Sequence, residues 1–482
     1  MKIKVVLHVL SLIMLIISLF ILLSAIVALI YQEIESAMAF FKTIGIIFPL
    51  FGSIFFLTKS EKERVLGTRE GFLLVTSGWI AASVFGALPF VFSHSIPSYT
   101  DAFFETMSGF TTTGASILTD IEGLSHGILF WRSLTHWLGG MGIVVLTVAL
   151  LPVLGIGGIQ LLKAEAPGPS MDKITPKITQ TAKILWLIYV GFTVLETILL
   201  MFGGMSLFDA STHTFGTLAT GGFSTKAASV GAFNSAFIHI VITVFMVLAG
   251  MNFNLYYKLI SGNFKDFFKD TEMRVYIFIF LFVTLIIGIN LLDYYGTFGK
   301  SLQYAGFQTA SILTTTGFAT ADFSLWPAFS RNALFFVMFI GGCSGSTGGG
   351  IKVVRIVVLI KLAVNEMKQM VYPRGVFPLR MNGSIMKKEI VYPIAGFFFL
   401  YVALLLAVSI IVASGGYDIL TSFTTALATL GNIGPGFGKI GPALNYSFYP
   451  DYIKWVLSTA MMFGRLEIYT VLILLTPKLW RA

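Results

Sequence analysis

Long apolar stretches, each about 20 residues, alternate along this chain with short polar segments, and the alternation has a larger period of its own. Two apolar runs come first, over 5–31 and 40–58. Both read as helices long enough to cross a hydrocarbon core of about 30 Å. After the charged link 60–70 (SEKERVLGTRE), one pattern recurs four times: a long apolar run, a short one, a polar dent, and a second long run. The first unit reads 71–93, 101–113 and 127–151, and the second 184–205, 209–222 and 235–259. The third reads 275–293, 302–317 and 331–361, and the fourth 389–414, 418–434 and 452–477. The short runs cannot span, so each is predicted to be a re-entrant half-helix, which leaves ten crossings.

The dents share a sequence: GFTTTGAS at 109–116, LATGGFST at 218–225, LTTTGFAT at 313–320 and, more loosely, LGNIGPGF at 430–437. Aligned, they put Gly114, Gly222, Gly317 and Gly434 in register, with Gly431 as the alternative in the fourth. Irregular backbone at membrane depth persists only where it is buried in protein or lines water. Glycine reaches φ > 0, which other residues disfavour. A Thr-rich segment ending in such a glycine can turn its carbonyls toward one axis, where a carbonyl ring replaces the water around a monovalent cation. The half-helices would add their partially negative C-termini. The candidate filter is therefore Thr112, Thr113 and Gly114; Thr220, Gly221 and Gly222; Thr315, Thr316 and Gly317; and Asn432, Ile433 and Gly434. Asp101, Asp209 and Asp418 begin three half-helices as N-caps, and with Glu105 they would make an electronegative outer mouth.

The second long run of the third unit is interrupted by GGCSGSTGGG at 341–350. Each glycine costs a helix about 1 kcal/mol relative to alanine, and an unbroken helix over 331–361 would run about 46 Å, longer than the core. A broken helix with its loop inside the protein is expected, and Gly345, Ser346, Thr347, Gly348, Gly349 and Gly350 would obstruct the path below the filter. Smaller breaks are expected at Gly139-Gly140-Met141-Gly142, Gly250-Met251-Asn252 and Gly464. Arg465 stands in an apolar run, where a charge is expensive and faces a partner or a cavity. Glu467, two residues on, lies on another helix face. Read from the residues alone, Arg465 would tie helices together through carbonyls or Glu196.

Composition agrees with the pattern. Of 482 residues, 56% are hydrophobic and 11% charged, against about a quarter charged in soluble domains. The chain is an all-α polytopic membrane protein. With both termini inside, the Lys and Arg excess gathers in the inner links, so the net charge of +9 reports topology and calls for no nucleic acid. The basic inner loops also suit lipid headgroups. A single cysteine, Cys343, excludes an internal disulfide framework. The six His show no metal-ligand spacing, no nucleotide-binding motif is present, and no paired catalytic groups share a depth. The expectation is a non-enzyme without an organic cofactor. The N-terminal run reads as a retained helix. The units divide as 1–66, 67–158, 159–262, 263–375 and 376–482.

SGFTTTGAS, TLATGGFST, ILTTTGFAT, LGNIGPGFG, the loop GGCSGSTGGGIK and the motif FGRLE together resemble the TrkH-type subunits of bacterial potassium uptake systems, in the superfamily with KtrB and the plant and fungal HKT and Trk transporters. The resemblance covers essentially the whole chain. It implies four helix–pore-helix–helix units around a central pore, preceded by two helices, in a bacterial cytoplasmic membrane. It also implies glycine-based selection of K⁺ as the transported ion, and an Arg465 that bonds the loop in the closed state. A homodimer and a peripheral cytosolic ring binding NAD- or ATP-type nucleotides are implied as well. An Na⁺- or H⁺-coupled symporter on the same scaffold is the alternative.

Overall fold

Val5, Val9, Ile13, Ile17, Ile21, Ala25 and Ala28 recur at helical spacing and are buried, while Leu19, Leu22, Ile26 and Ile30 of the same helix are exposed. A helix apolar on all sides, with one side against protein, has lipid as its other neighbour. This helix, α1 (Ile3–Ile30), forms a hairpin with α2 (Ile34–Leu57). The computed structural model describes residues 2–59, 67–140, 142, 178–386 and 388–480.

Four units follow. The first contains α3 (Thr68–Gly86), α4 (Tyr99–Phe110) and α5 (His126–Gly140). The second contains α6 (Ile178–Phe202), α7 (Leu207–Ala219), α8 (Ala236–Ala249) and α9 (Phe253–Ile260). The third has α10 (Thr271–Asn290), α11 (Phe298–Leu313), α12 (Ala328–Val337) and α13 (Val353–Val371). The fourth has α14 (Lys388–Ala413), α15 (Ile419–Leu430), α16 (Asp451–Arg465) and α17 (Ile468–Leu472). The chain is thus an all-α, multi-pass membrane protein in which a long helix, a short helix and a second helix recur after an N-terminal hairpin. A two-strand hairpin, Arg380–Met381 with Ser384–Ile385, lies in the link before α14.

Six helices among the described residues are long and apolar enough to cross a membrane, and two bent pairs pass the same test as units. The bends are sharper than the small breaks expected. The axis turns by 95° between α8 and α9 and by 115° after α16. The first turn follows Gly250, where Asn252 starts a new helix by accepting the Asn254 N–H at 2.9 Å. The second falls at Leu466–Glu467, not at Gly464, which stays inside α16. Glu467 there adopts φ 59°. The expected helix over 127–151 is seen as far as Gly140; its remainder, and the link 60–66, lie outside the described residues.

The short helices α4, α7, α11 and α15 carry the polar interior of an otherwise apolar molecule. Thr111, Thr112, Thr113, Thr220, Thr314, Thr315, Thr316 and Asn432 are all fully buried.

Candidate functional site

Each short helix ends in the same local structure. The N–H groups of Thr112, Thr220, Thr315 and Asn432 donate three residues back. Those of Thr113, Gly221, Thr316 and Ile433 donate five back, to Ser108, Gly216, Ser311 and Ala428. This is the Schellman closure, whose penultimate residue is left-handed and usually glycine. Here that residue is Thr112 (φ 52°), Thr220 (55°), Thr315 (61°) or Asn432 (53°). A left-handed conformation is uncommon for β-branched residues and costs an L-residue about 1–2 kcal/mol. Two residues on, Gly114, Gly222, Gly317 and Gly434 are left-handed again, with φ between 78° and 91°. Gly431 has no such conformation and caps α15 with helical angles. Backbone geometry therefore aligns Gly434, not Gly431, with the other three.

The four glycines close a ring in chain order. A Cβ on Gly114 would stand 2.1 Å from the Gly221 oxygen, and one on Gly222 2.1 Å from that of Thr316. A Cβ on Gly317 would stand 2.2 Å from the Ile433 oxygen, and one on Gly434 2.6 Å from that of Thr113. Each loop thus leans on the backbone of the next, and the fourth returns to the first. Among the described residues, no hydrogen bond is donated to the main-chain oxygens of Thr112, Thr113, Thr220, Thr315, Thr316, Asn432 or Ile433, while the buried His136 ring bonds the backbone of Gly221. Buried carbonyls without donors are rare in proteins. Seven in one ring make this a candidate site for a desolvated cation.

The glycine-rich loop 341–350 sits against the side of this ring where the short helices end. The Gly349 N–H donates to Thr315 Oγ1 at 2.6 Å, and a Cβ on Gly349 would lie 2.6 Å from the Gly431 oxygen. Its legs are joined by Gly341 N–H to Ile351 O (2.8 Å) and Val353 N–H to Gly342 O (3.2 Å). The loop also fills the break between α8 and α9. Cys343 N–H donates to Gly250 O at 2.8 Å, and the Gly345 oxygen accepts from Phe253 N–H at 3.0 Å. Backbone groups released by the bend are thereby satisfied.

Arg465 Nη1 donates to Thr347 O at 2.7 Å, and Nη2 to Gly140 O at 2.8 Å and to Gly139 O. The two sequence expectations for this residue meet in one geometry, since it ties helices through carbonyls and holds the loop. Glu467 is not its partner; it pairs with Arg355, whose guanidinium carbon lies 3.8 Å over the Phe397 ring. Three buried residues here escaped the sequence reading. Glu272 Oε1 accepts from Ser344 N–H (2.7 Å) and Val354 N–H (2.9 Å), one on each leg of the loop. Lys352 Nζ donates to Gly348 O, and Arg355 pairs as above. The charges in GGGIKVVR were the available signal; Lys352 bonds within the loop, but the partner of Arg355 lies 112 residues away.

The expected acidic mouth is corrected. Ser98 and Ser206, not the aspartates, cap α4 and α7; Asp101 and Asp209 are third residues whose N–H groups donate to those serines at 3.4 and 3.0 Å. Asp101 pairs with Lys454, and Asp209 accepts from Thr225 Oγ1 at 2.7 Å. Asp418 is a true cap, accepting from Thr421 N–H at 3.0 Å; bonding from Thr421 holds its carboxyl below the usual range. Glu105 is 1% exposed and pairs with Arg132 at 2.6 Å, so it belongs to the interior.

A family model described as TrkH, cation transport protein, matches residues 36–481. The chain is 42% identical over 464 residues to the Trk system potassium uptake protein TrkH of Salmonella typhimurium, covering 95% of each chain. It is 41% identical over 489 residues to the protein of the same description from Vibrio parahaemolyticus, covering 100% of each. The crystal structure of the potassium transporter TrkH from Vibrio parahaemolyticus matches with a TM-score of 0.89 and 39% identity, over 100% of both chains. With this fold, this ring and these relatives, the chain belongs to the TrkH family of cation transport proteins.

Proposed function

We propose that this protein takes up K⁺ across the bacterial cytoplasmic membrane through a gated, K⁺-selective pore on the ring axis, with both termini cytoplasmic. The observation that carries this reading is the ring of buried main-chain oxygens with no donor, which a dehydrated monovalent cation would satisfy. Thr112–Gly114, Thr220–Gly222, Thr315–Gly317 and Asn432–Gly434 act as the filter. The divisions 67–158, 159–262, 263–375 and 376–482 give each unit one quarter of it. Loop residues Gly345 to Gly350 obstruct the inner side, and Arg465 holds them there while adding a positive charge on the path. Release of the loop is assigned to a cytosolic nucleotide-binding partner docked on the basic inner links, and the working unit is a homodimer, as the family resemblance implies.

Glu196 favours a second reading. It is fully buried in α6, and among the described residues its carboxyl oxygens have no hydrogen-bond donor of ordinary geometry. The neighbouring Thr217 gives its hydroxyl to His213 O. A coupled symporter would use such a group to carry a proton or Na⁺. Uptake of Rb⁺ and Na⁺ into proteoliposomes containing this chain alone separates the two. A passive pore gives Rb⁺ flux that K⁺ blocks, Na⁺ barely affects, and no proton gradient is needed to drive. Flux that appears only with an imposed H⁺ or Na⁺ gradient supports the symporter. Silence under both conditions, broken by adding the cytosolic partner, supports the closed gate.

A further inference from the structure

The ring glycines bring a second set of residues into register. Nine positions before Gly114, Gly222, Gly317 and Gly434 stand Glu105, His213, Gln308 and Thr425, all buried in the short helices. The first three are turned toward the segment that leaves their loop; in the fourth unit Thr424, one residue earlier, takes that part by bonding Phe437. Glu105 accepts from Ser116 Oγ and from Ile117 N–H, both at 2.9 Å. His213 Nε2 lies 2.8 Å from Ser224 Oγ. Gln308 Nε2 donates to Thr320 Oγ1 and Ala321 O at 3.4 and 3.5 Å. Thr425 Oγ1 is 2.7 Å from the Tyr449 hydroxyl.

Of the four, Glu105 alone forms a salt bridge among the described residues. Its partner, Arg132 of α5, is buried and reaches the next unit as well. Arg132 Nη1 donates to Ser224 O at 2.9 Å, and its guanidinium carbon lies 3.6 Å over the Phe223 ring. His136, one turn along α5, stacks on the same ring at 4.0 Å while its Nδ1 bonds Gly109 O at 2.7 Å. Glu105 and Arg132 therefore fix the segments leaving the first and second loops to one another. The other struts use neutral bonds, those of Gln308 long.

We propose that the residue nine positions before each of the first three ring glycines is a positioning residue for the ring, and that the Glu105–Arg132 pair sets the gap between the first and second loops and hence the ion preference. The inference rests on the reading of the ring as a K⁺ filter. Charge-assisted bonds are shorter and stronger than neutral ones, so this corner is the stiffest. Discrimination between cations depends on how far the carbonyls can close on the smaller ion. Relaxing this corner admits Na⁺.

Removing one member leaves a buried charge, so the test uses the double variant Glu105→Gln, Arg132→Met alongside the conservative Glu105→Asp, which keeps both charges. In proteoliposomes, inhibition of Rb⁺ uptake by Na⁺ relative to K⁺ is expected to rise about tenfold in the double variant, about 1.4 kcal/mol between the ions, with Rb⁺ flux retained. Glu105→Asp should move the ratio less, in the same direction. A Na⁺:K⁺ ratio at the wild-type value in either variant, recovered as monodisperse protein, overturns the inference. Wild-type protein that shows no preference for K⁺ overturns the filter reading itself, a separate result from the same experiment.

Discussion

Gly222 and Gly204 share a left-handed backbone, with φ 80° and 99°, but differ in what a methyl group would meet. At Gly204 nothing lies within 4 Å; at Gly222 a Cβ would stand 2.1 Å from the Thr316 oxygen. Both alanine variants carry the left-handed penalty of about 1–2 kcal/mol, and only Gly222→Ala forces two ring loops apart. Gly222→Ala is therefore expected to abolish K⁺-competed Rb⁺ uptake, while Gly204→Ala retains it; equal losses in the two would show that strain, not the ring contact, is responsible. Arg465 is the second residue whose role is separable. A hydrogen bond to a charged group contributes about 1.5–3 kcal/mol, so Arg465→Ala should raise basal Rb⁺ flux about tenfold or more. Flux that stays at the wild-type level, at equal folded protein, removes Arg465 from the gate.

At the scale of elements, the short helices and their dents were legible because they break the apolar pattern. Non-helical backbone at membrane depth must be buried in protein or line water, and four Thr- and Gly-rich copies in register point to one shared site. The glycine run 341–350 was legible for the same cause. The 95° and 115° turns were not, because each bent pair together passes as one apolar span, and hydropathy carries no direction. Glu105 was misread for a related cause: an acid in the second turn of a half-helix looks the same in sequence whether it faces water or Arg132. The clamp at Glu272 was also hidden, since its two partners are backbone N–H groups 72 and 82 residues away. One oxygen restrains both legs of the loop. Glu272→Ala should loosen the loop and raise basal flux as Arg465→Ala does, whereas Glu272→Gln, which keeps an acceptor, should change it little. Parallel behaviour of the two Glu272 variants would show that the clamp is not what holds the loop.

At the scale of the whole molecule, the N-terminal hairpin is joined to the first unit by Glu33. Its carboxylate accepts the His126 and Gly127 N–H groups at 2.7 and 2.9 Å, so a residue from one part of the fold caps the helix of another. Close by, a Cβ on Gly127 would lie 2.6 Å from that of Ala28, which shows how tightly the two parts meet. Glu33→Ala should lower the thermal stability of the solubilised protein, each charge-assisted bond contributing about 1.5–3 kcal/mol, and leave the Na⁺:K⁺ ratio untouched. A changed ratio would mean that the hairpin reaches the ring.

The ring closes in chain order, and its last contact joins Gly434 to Thr113, residues from opposite ends of the protein. A ribosome making this chain therefore completes three of the four ring loops before the fourth arrives. During that interval the main-chain oxygens of the first three loops have no neighbour on one side, and there is no closed path for an ion to follow. On the proposed function, a chain stopped before the fourth unit would hold no closed path for ions across the membrane.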